Sequence, residues 1–156
     1  MLTDDQARFI QGRVSITAAS RDARRLPSVV RASACRVSAD RRQVTLLLAT
    51  RQAGQVLADI AATATIAVVF SEPGTHRTLQ FKGTDAQASA VLPGDADVAA
   101  AHQADFVEAI VPLGYTRDFA RAVHDVPAGE LSAVTFTVAD IFEQTPGPRA
   151  GSRVSA

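Results

Sequence analysis

The chain has 156 residues, the size of one ordinary domain, and its 47% hydrophobic and 21% charged residues predict a folded protein with a core of its own. Lys plus Arg and Asp plus Glu both number 16, so the formal net charge is zero, which excludes a sequence-wide basic field for nucleic acid. Cys35 is the single cysteine, which excludes an internal disulfide and a multi-cysteine zinc site.

The sequence carries no sign of export or of membrane insertion. Residues 1–6 lack the basic start and apolar run of a signal peptide. The longest apolar runs, such as residues 65–70, are far shorter than the roughly 20 residues of a transmembrane helix. We therefore predict no membrane segment and a cytoplasmic location.

The chain begins with three segments that have the pattern of β-strands. Residues 13–20 place Val14, Ile16 and Ala18 at every second position, which is the period of a half-buried strand. Residues 28–38 and 44–49 predict two more strands, and residues 39–42 between them are a hairpin turn. Short links between consecutive strands favour an antiparallel meander.

A helix and two further strands are predicted next. Thr50 is a suitable helix N-cap, and residues 51–62 carry Val56, Leu57 and Ile60 on one face. Residues 65–71 predict a short apolar strand, residues 72–75 a turn, and residues 76–88 an alternating strand.

The remainder predicts two helices and a last strand. Residues 95–107 and 115–123 are the helices, separated by Pro112 and Gly114, and residues 131–142 are the strand. The tail from about residue 144 is irregular, and no change of composition divides residues 1–156 into two domains. Strands that pair with sequence neighbours favour a small barrel, closed or partly closed.

The order of these elements and four of their segments resemble the pyridoxamine 5′-phosphate oxidase-like family. The segments are PSVVRASACR, TRQAGQVLADI, IAVVFSEPGTHRTLQFKG and DIFEQTPGPRAG, which begin at residues 27, 50, 66 and 140. The resemblance implies a six-stranded antiparallel split β-barrel. It also implies a homodimer that binds FMN where the two chains meet and performs redox chemistry on a small molecule.

The resemblance assigns the cofactor-binding residues as well. Arg31 and Arg36 on the second strand match the basic pair that holds the flavin phosphate. The start of the following helix supplies Thr50, Arg51 and Gln52. The remaining matches are Ser33, which lies between the two arginines, and Thr78, which matches a polar residue at the edge of the flavin ring.

The chemistry of these residue types agrees with an anion site. A helix N-terminus offers free N–H groups, and the planar guanidinium of arginine can bind two phosphate oxygens. Arg31 and Arg36 are five positions apart, however, so on a regular strand they face opposite sides, and only a bulge at Ser33-Ala34 would align them. The alternative is that both are ordinary exposed arginines.

Two departures from the family limit the function. Gln52 replaces the lysine that the family commonly has, which removes one positive charge. The chain also has no tryptophan and no counterpart of the arginines that bind the substrate phosphate, which argues against pyridoxamine 5′-phosphate oxidation itself. Two alternatives remain, namely a member of the same barrel superfamily that binds haem or a deazaflavin, and a non-catalytic dimer without cofactor.

No catalytic residue or metal site is predicted. Cys35 has no adjacent histidine and is expected to be a small buried residue. His76, His102 and His124 have no spacing typical of zinc ligands. We expect His102 and His124 on helix surfaces and His76 in a hairpin or beside the flavin.

Overall fold

A computed structural model describes residues 1–124 and 130–154, without the side chains of residues 123 and 124. In this part of the chain, the fold is one antiparallel sheet of nine strands with helices at its ends and on its outside. The strands are β1 (Ser15–Arg21), β2 (Pro27–Val37), β3 (Gln43–Ala49), β4 (Ile66–Ser71), β5 (Thr78–Gly83), β6 (Gln87–Ser89), β7 (Leu131–Thr137), β8 (Asp140–Glu143) and β9 (Arg153–Val154). The helices are α1 (Asp4–Ile10), α2 (Thr50–Thr63), α3 (Asp95–Ile110) and α4 (Arg117–His124), with a 3-10 turn, Val111–Leu113, between the last two.

The strand order shows that the sheet curls back on itself. The order is β6-β7-β3-β2-β1-β4-β5-β8-β9, so five strands separate β7 from β8. Only residues 138 and 139 connect β7 to β8 in the chain, and the Ala139 N–H donates to the Lys82 carbonyl at 2.9 Å. The two halves of the sheet must therefore meet at this junction, although the hydrogen-bonded order itself is open.

The predicted fold class is right, but the number of strands is not six. Two predicted strands are each divided: residues 76–88 cover β5 and most of β6, and residues 131–142 cover β7 and most of β8. In both cases the chain changes partners, because β5 pairs with β4 and β8 whereas β6 pairs with β7. The ninth strand, β9, lies in the tail that was predicted to be irregular.

Helix α1 was not predicted, although the sequence carries its signal. The Thr3 hydroxyl accepts from the Gln6 N–H at 3.1 Å, and the Gln6 side chain accepts from the Thr3 N–H at 2.9 Å. This reciprocal pair is the capping box that a threonine followed three residues later by glutamine indicates. The helix brings Phe9 and Ile10 into the core.

The main core lies inside the curled sheet, and the two first helices pack against it. Ile16, Leu46, Val68, Phe81 and Phe136 are fully buried there. Ala53, Val56 and Ile60 of α2 join this core. Full burial of each large apolar side chain stabilises the fold by roughly 1.5–3 kcal/mol.

Helix α3 packs on the outside of the sheet. Its Ala99 forms a separate small cluster with Ala34 of β2, Leu47 of β3 and Ala133 of β7. The second half of α3 packs instead against α4, through Phe106, Val107, Ile110 and Ala120. Within the described residues, no helix is long and apolar enough to cross a membrane.

Candidate functional site

A β-bulge in β2 places the two predicted phosphate arginines on one face of the sheet. Ala32 and Ala34 pair with consecutive residues of β3, so Ser33 is the extra residue. The alternation of side chains therefore shifts by one position at Ser33. Arg31, Ala34 and Arg36 face outward, and the bulge that their alignment required is present.

The start of α2 presents backbone donors without a side-chain cap. Ala49 is the N-cap and has no capping side chain, which corrects the prediction that Thr50 caps the helix. The Thr50 N–H donates to the Glu130 carbonyl at 3.0 Å, and its hydroxyl lies 2.8 Å from that of Ser132. The N–H groups of Arg51 and Gln52 precede the first intrahelical hydrogen bonds, and free N–H groups at a helix N-terminus are a suitable site for an anion.

Arg31 lies beside this helix start. Ala32 pairs with Leu48, so Arg31 stands one position further along, next to Ala49, where α2 begins. Its side chain is exposed, with Nη1 3.5 Å from the Ser15 hydroxyl. Arg51 and Gln52 are exposed as well, and the first turn of α2 has no acidic residue. We call Arg31, Thr50, Arg51 and Gln52 the cationic corner.

Arg36 lies apart from the cationic corner and has a partner of its own. It is four ladder positions from Arg31 once the bulge is subtracted, about 13 Å along the strand. Its Nε is 3.0 Å from Asp95 Oδ1, and its Nη2 donates to Asp95 Oδ2 at 3.3 Å and to the Ala90 carbonyl at 3.2 Å. Asp95, the first residue of α3, is only 3% exposed.

The remaining predicted residues are not part of the same cluster within one chain. Ser33 is buried at the bulge. Thr78 lies on β5, and β1 and β4 stand between β5 and β2, so about 14 Å separates the strands of Thr78 and Arg31. The Thr78 hydroxyl lies 2.8 Å from that of Ser71.

Two buried polar residues of α3, Asp95 and His102, were missed by the sequence analysis. His102 was expected on the surface but is buried, with Nε2 2.9 Å from the Val14 carbonyl. Burial lowers the pKa of His102, and the hydrogen bond to Val14 opposes this shift. A carbonyl partner requires the Nε2–H form of the ring. The sequence pattern of α3 did not indicate that Asp95 and His102 are buried, because their burial depends on which strands the helix packs against.

The other histidines and the cysteine offer no alternative site. His76 is exposed in the β4–β5 turn, and the side chain of His124 lies outside the described residues. Cys35 is buried as predicted, and burial raises the pKa of its thiol to about 12. Among residues 1–124 and 130–154, no group of three or more potential metal ligands occurs.

Comparisons with known proteins support the fold through solved structures. No protein-family profile matches the chain, and no curated protein matches it either. HupZ of Group A Streptococcus is similar with a TM-score of 0.59 and 19% identity, over 97% of this chain and 100% of its own. A candidate pyridoxamine 5′-phosphate oxidase from Lactobacillus delbrueckii is similar with a TM-score of 0.55 and 17% identity, over 90% of this chain and 93% of its own. HutZ, a haem storage protein of Vibrio cholerae, has a TM-score of 0.49 and 14% identity, over 86% of this chain and 89% of its own.

Proposed function

Because the chain has the fold of the pyridoxamine 5′-phosphate oxidase-like split-barrel proteins, we propose that it is a homodimer that binds FMN and transfers electrons between the flavin and a small molecule. The observation that carries this proposal is the cationic corner, where the uncapped start of α2 lies beside Arg31.

The residues of the cationic corner fit a flavin phosphate. Two guanidinium groups, those of Arg31 and Arg51, can each give two N–H donors to phosphate oxygens. The N–H groups of Arg51 and Gln52 add the positive end of the helix dipole. Arg51 is unfavourable at this end of a helix unless an anion is bound, and the first turn has no carboxylate to repel one. Gln52 contributes a neutral amide where lysine would add a charge.

The flavin would supply the redox chemistry, and the chain would supply binding and orientation. A bound flavin accepts and returns an electron pair without a protein acid or base. Burial raises the pKa of Cys35, so this thiol is not activated. This function does not require an activated cysteine. We propose a substrate other than pyridoxamine 5′-phosphate, since the sequence has no obvious counterpart of the arginines that bind the substrate phosphate in the family.

A homodimer would bring Thr78 to the flavin. In one chain Thr78 lies three strands from Arg31, whereas a partner chain could place its own Thr78 against the ring. The outer face of β1, β4 and β5 suits such a contact because its residues are half-exposed and mostly small or uncharged. They include Thr17, Ala19, Ala67, Val69 and Gln80.

The test compares FMN with riboflavin, which lacks the phosphate. We expect wild type to prefer FMN, and Arg51→Ala to weaken FMN by about 10–150-fold, the equivalent of one charge-assisted hydrogen bond of roughly 1.5–3 kcal/mol. Riboflavin affinity should stay nearly unchanged. Quenching of flavin fluorescence measures all four affinities. Arg24→Ala is the matched control, because Arg24 is an exposed arginine in the β1–β2 turn.

Each other outcome rejects a part of the proposal. Equal weakening of both ligands by Arg51→Ala would show that the residue supports the fold and not the phosphate. If wild type binds neither flavin, the absorption spectrum of the purified protein distinguishes haem and a deazaflavin from a dimer without cofactor.

A further inference from the structure

The hairpin that joins β1 and β2 carries a group of positive charges at its tip. Arg21, Arg24 and Arg25 lie within a stretch of five residues and are exposed. In the described part of the chain none of the three forms a salt bridge, in contrast to five other arginines. The acidic residue among them, Asp22, uses its carboxylate to accept from the Leu26 N–H at 2.8 Å. In a chain of zero net charge, the tip is therefore a separate positive patch.

The same tip exposes two large apolar side chains. Val29 is 64% exposed and Leu26 is 59% exposed, and the next value inside the described chain is 51%, for Phe119. Transfer of such side chains from water to an apolar environment is favourable. Their position beside three arginines therefore indicates a surface that contacts a partner.

The backbone of the tip is ordered, so these side chains are held in defined positions. The Arg25 N–H donates to the Asp22 carbonyl at 3.0 Å, and the Asp22 N–H donates to the Leu26 carbonyl at 3.0 Å. Arg25 has a φ of 68°, in the left-handed region that glycine or asparagine usually occupies in hairpin turns. An arginine thus stands where turn formation alone would favour another residue.

Positive and apolar side chains on one exposed tip match an anionic lipid surface. The guanidinium groups would contact acidic headgroups, while Leu26 and Val29 would enter the boundary between headgroups and acyl chains. A nucleic acid would use the charges alone, because residues 21–29 contain no aromatic side chain to stack on bases and apolar side chains gain nothing from phosphates. The lipid surface is the partner that uses both kinds of side chain.

We propose that the tip of the β1–β2 hairpin is a peripheral docking site for membranes that contain anionic lipids. Docking of this kind occurs at the lipid surface and needs no membrane-spanning segment. Each arginine near such a surface strengthens binding about fivefold, and salt screens this contribution. Docking is independent of FMN binding, because the tip shares no residue with the cationic corner.

Cosedimentation with lipid vesicles tests the docking site. We expect wild type to bind a roughly two-to-one mixture of phosphatidylcholine and phosphatidylserine, not phosphatidylcholine alone, and to bind less as salt rises. Arg24→Ala combined with Arg25→Asn should weaken this binding about 25-fold, because two headgroup contacts are lost. Asparagine tolerates the left-handed backbone of residue 25, so the turn is kept. Arg8→Ala combined with Arg42→Ala is the matched control, since it removes two exposed arginines outside the tip.

A second variant, Leu26→Ser, tests the apolar contribution. It should weaken binding to the mixed vesicles about fivefold at low and at high salt, because insertion of an apolar side chain is not screened. If Leu26→Ser binds the vesicles as wild type does, and the arginine variant loses duplex DNA as well as vesicles, the tip is a general phosphate-binding surface and the lipid site is rejected.

Other results would also overturn the docking site. Equal weakening in the tip variant and the control variant would show that net charge, and not the tip, determines binding. Equal binding of both kinds of vesicle, or binding of neither, would exclude recognition of anionic lipid. A change from dimer to monomer in the tip variants, measured by light scattering, would show that the tip contacts a second copy of the chain. FMN affinity should be the same in all these variants as in wild type, so docking and the proposed function are tested separately.

Discussion

The thiol of Cys35 is sealed inside the sheet, and burial controls its chemistry. Its Sγ donates to the Ile10 carbonyl at 3.1 Å, so α1 covers it directly. Burial raises the thiol pKa from 9.0 to about 12, so the thiolate is absent from the folded protein at neutral pH. The neighbouring Arg36 does not counteract this effect, because it faces the other side of the sheet.

We predict that Cys35→Ser keeps FMN affinity within a few-fold and removes a pH dependence of stability. Above pH 9 the unfolded chain releases the thiol proton while the folded chain keeps it until about pH 12, so wild type loses stability as pH rises through this window. The loss relative to Cys35→Ser should reach about 1.4 kcal/mol at pH 10. Urea unfolding at pH 8 and pH 10 measures it, and an equal loss in both proteins would contradict the burial.

For individual residues, the sequence identified candidate site residues better than it identified the residues that contact them. The family resemblance paired Arg31 and Arg36, their five-residue spacing showed that only a bulge at Ser33-Ala34 would place them on one face, and that bulge is present. The sequence could not reveal that Asp95 would reach Arg36, since the two residues are 59 positions apart in the chain and meet through the docking of α3. The burial of His102 has the same origin.

Among the elements, the contact between β5 and β7 depends on a glycine. A Cβ added to Gly83 would lie 2.7 Å from Phe136 Cδ2 and 3.0 Å from the Thr137 carbonyl oxygen. The ring of Phe136 is fully buried and cannot move aside freely. Gly83 thus permits the close approach with which the curled sheet meets itself.

We predict that Gly83→Ala lowers the free energy of unfolding by about 1–3 kcal/mol, the usual cost of overpacking. Gly54→Ala is the control, because a Cβ there meets no atom within 4 Å and alanine is the better helix former. That variant should be more stable by roughly 0.5–1 kcal/mol. Urea denaturation of the three proteins tests both signs, and a neutral Gly83→Ala would mean that β5 and β7 adjust easily.

Strands that continue without interruption could be located from the sequence, whereas segments that divide into two strands were not recognised as divided. Strands β1, β2 and β3 alternate or run apolar throughout, so their period located them to within a few residues. The division of residues 131–142 was missed because Val138 and Ala139 continue the apolar pattern while the pairing partner changes, whereas the break in residues 76–88 was visible in the polar residues Thr84 and Asp85. Helix α1 was missed although its capping box was visible in the sequence.

For the molecule as a whole, the half-exposed outer face of β1, β4 and β5 predicts the assembly. We expect light scattering at micromolar concentration to give about twice 16.4 kDa. Val69→Lys, at the middle of this face, should produce a folded monomer, because a charge is costly to bury in an interface. Val98→Lys is the control, since Val98 is 41% exposed on α3. A monomeric wild type that binds FMN would contradict the homodimer.

The late position of β7 and β8 in the chain has a consequence for how the protein is made. Thr45 of β3 pairs with Thr135 of β7, and Gln80 of β5 pairs with Phe142 of β8. Strands β3 and β5 therefore lack these partners until the ribosome has synthesised β7 and β8. Until then β3, with the apolar run Leu46, Leu47 and Leu48, is an open strand edge of the kind that aggregates. Completion of the sheet therefore awaits the synthesis of β7 and β8, and until then the apolar edge of β3 is the part of the nascent chain that a chaperone would shield.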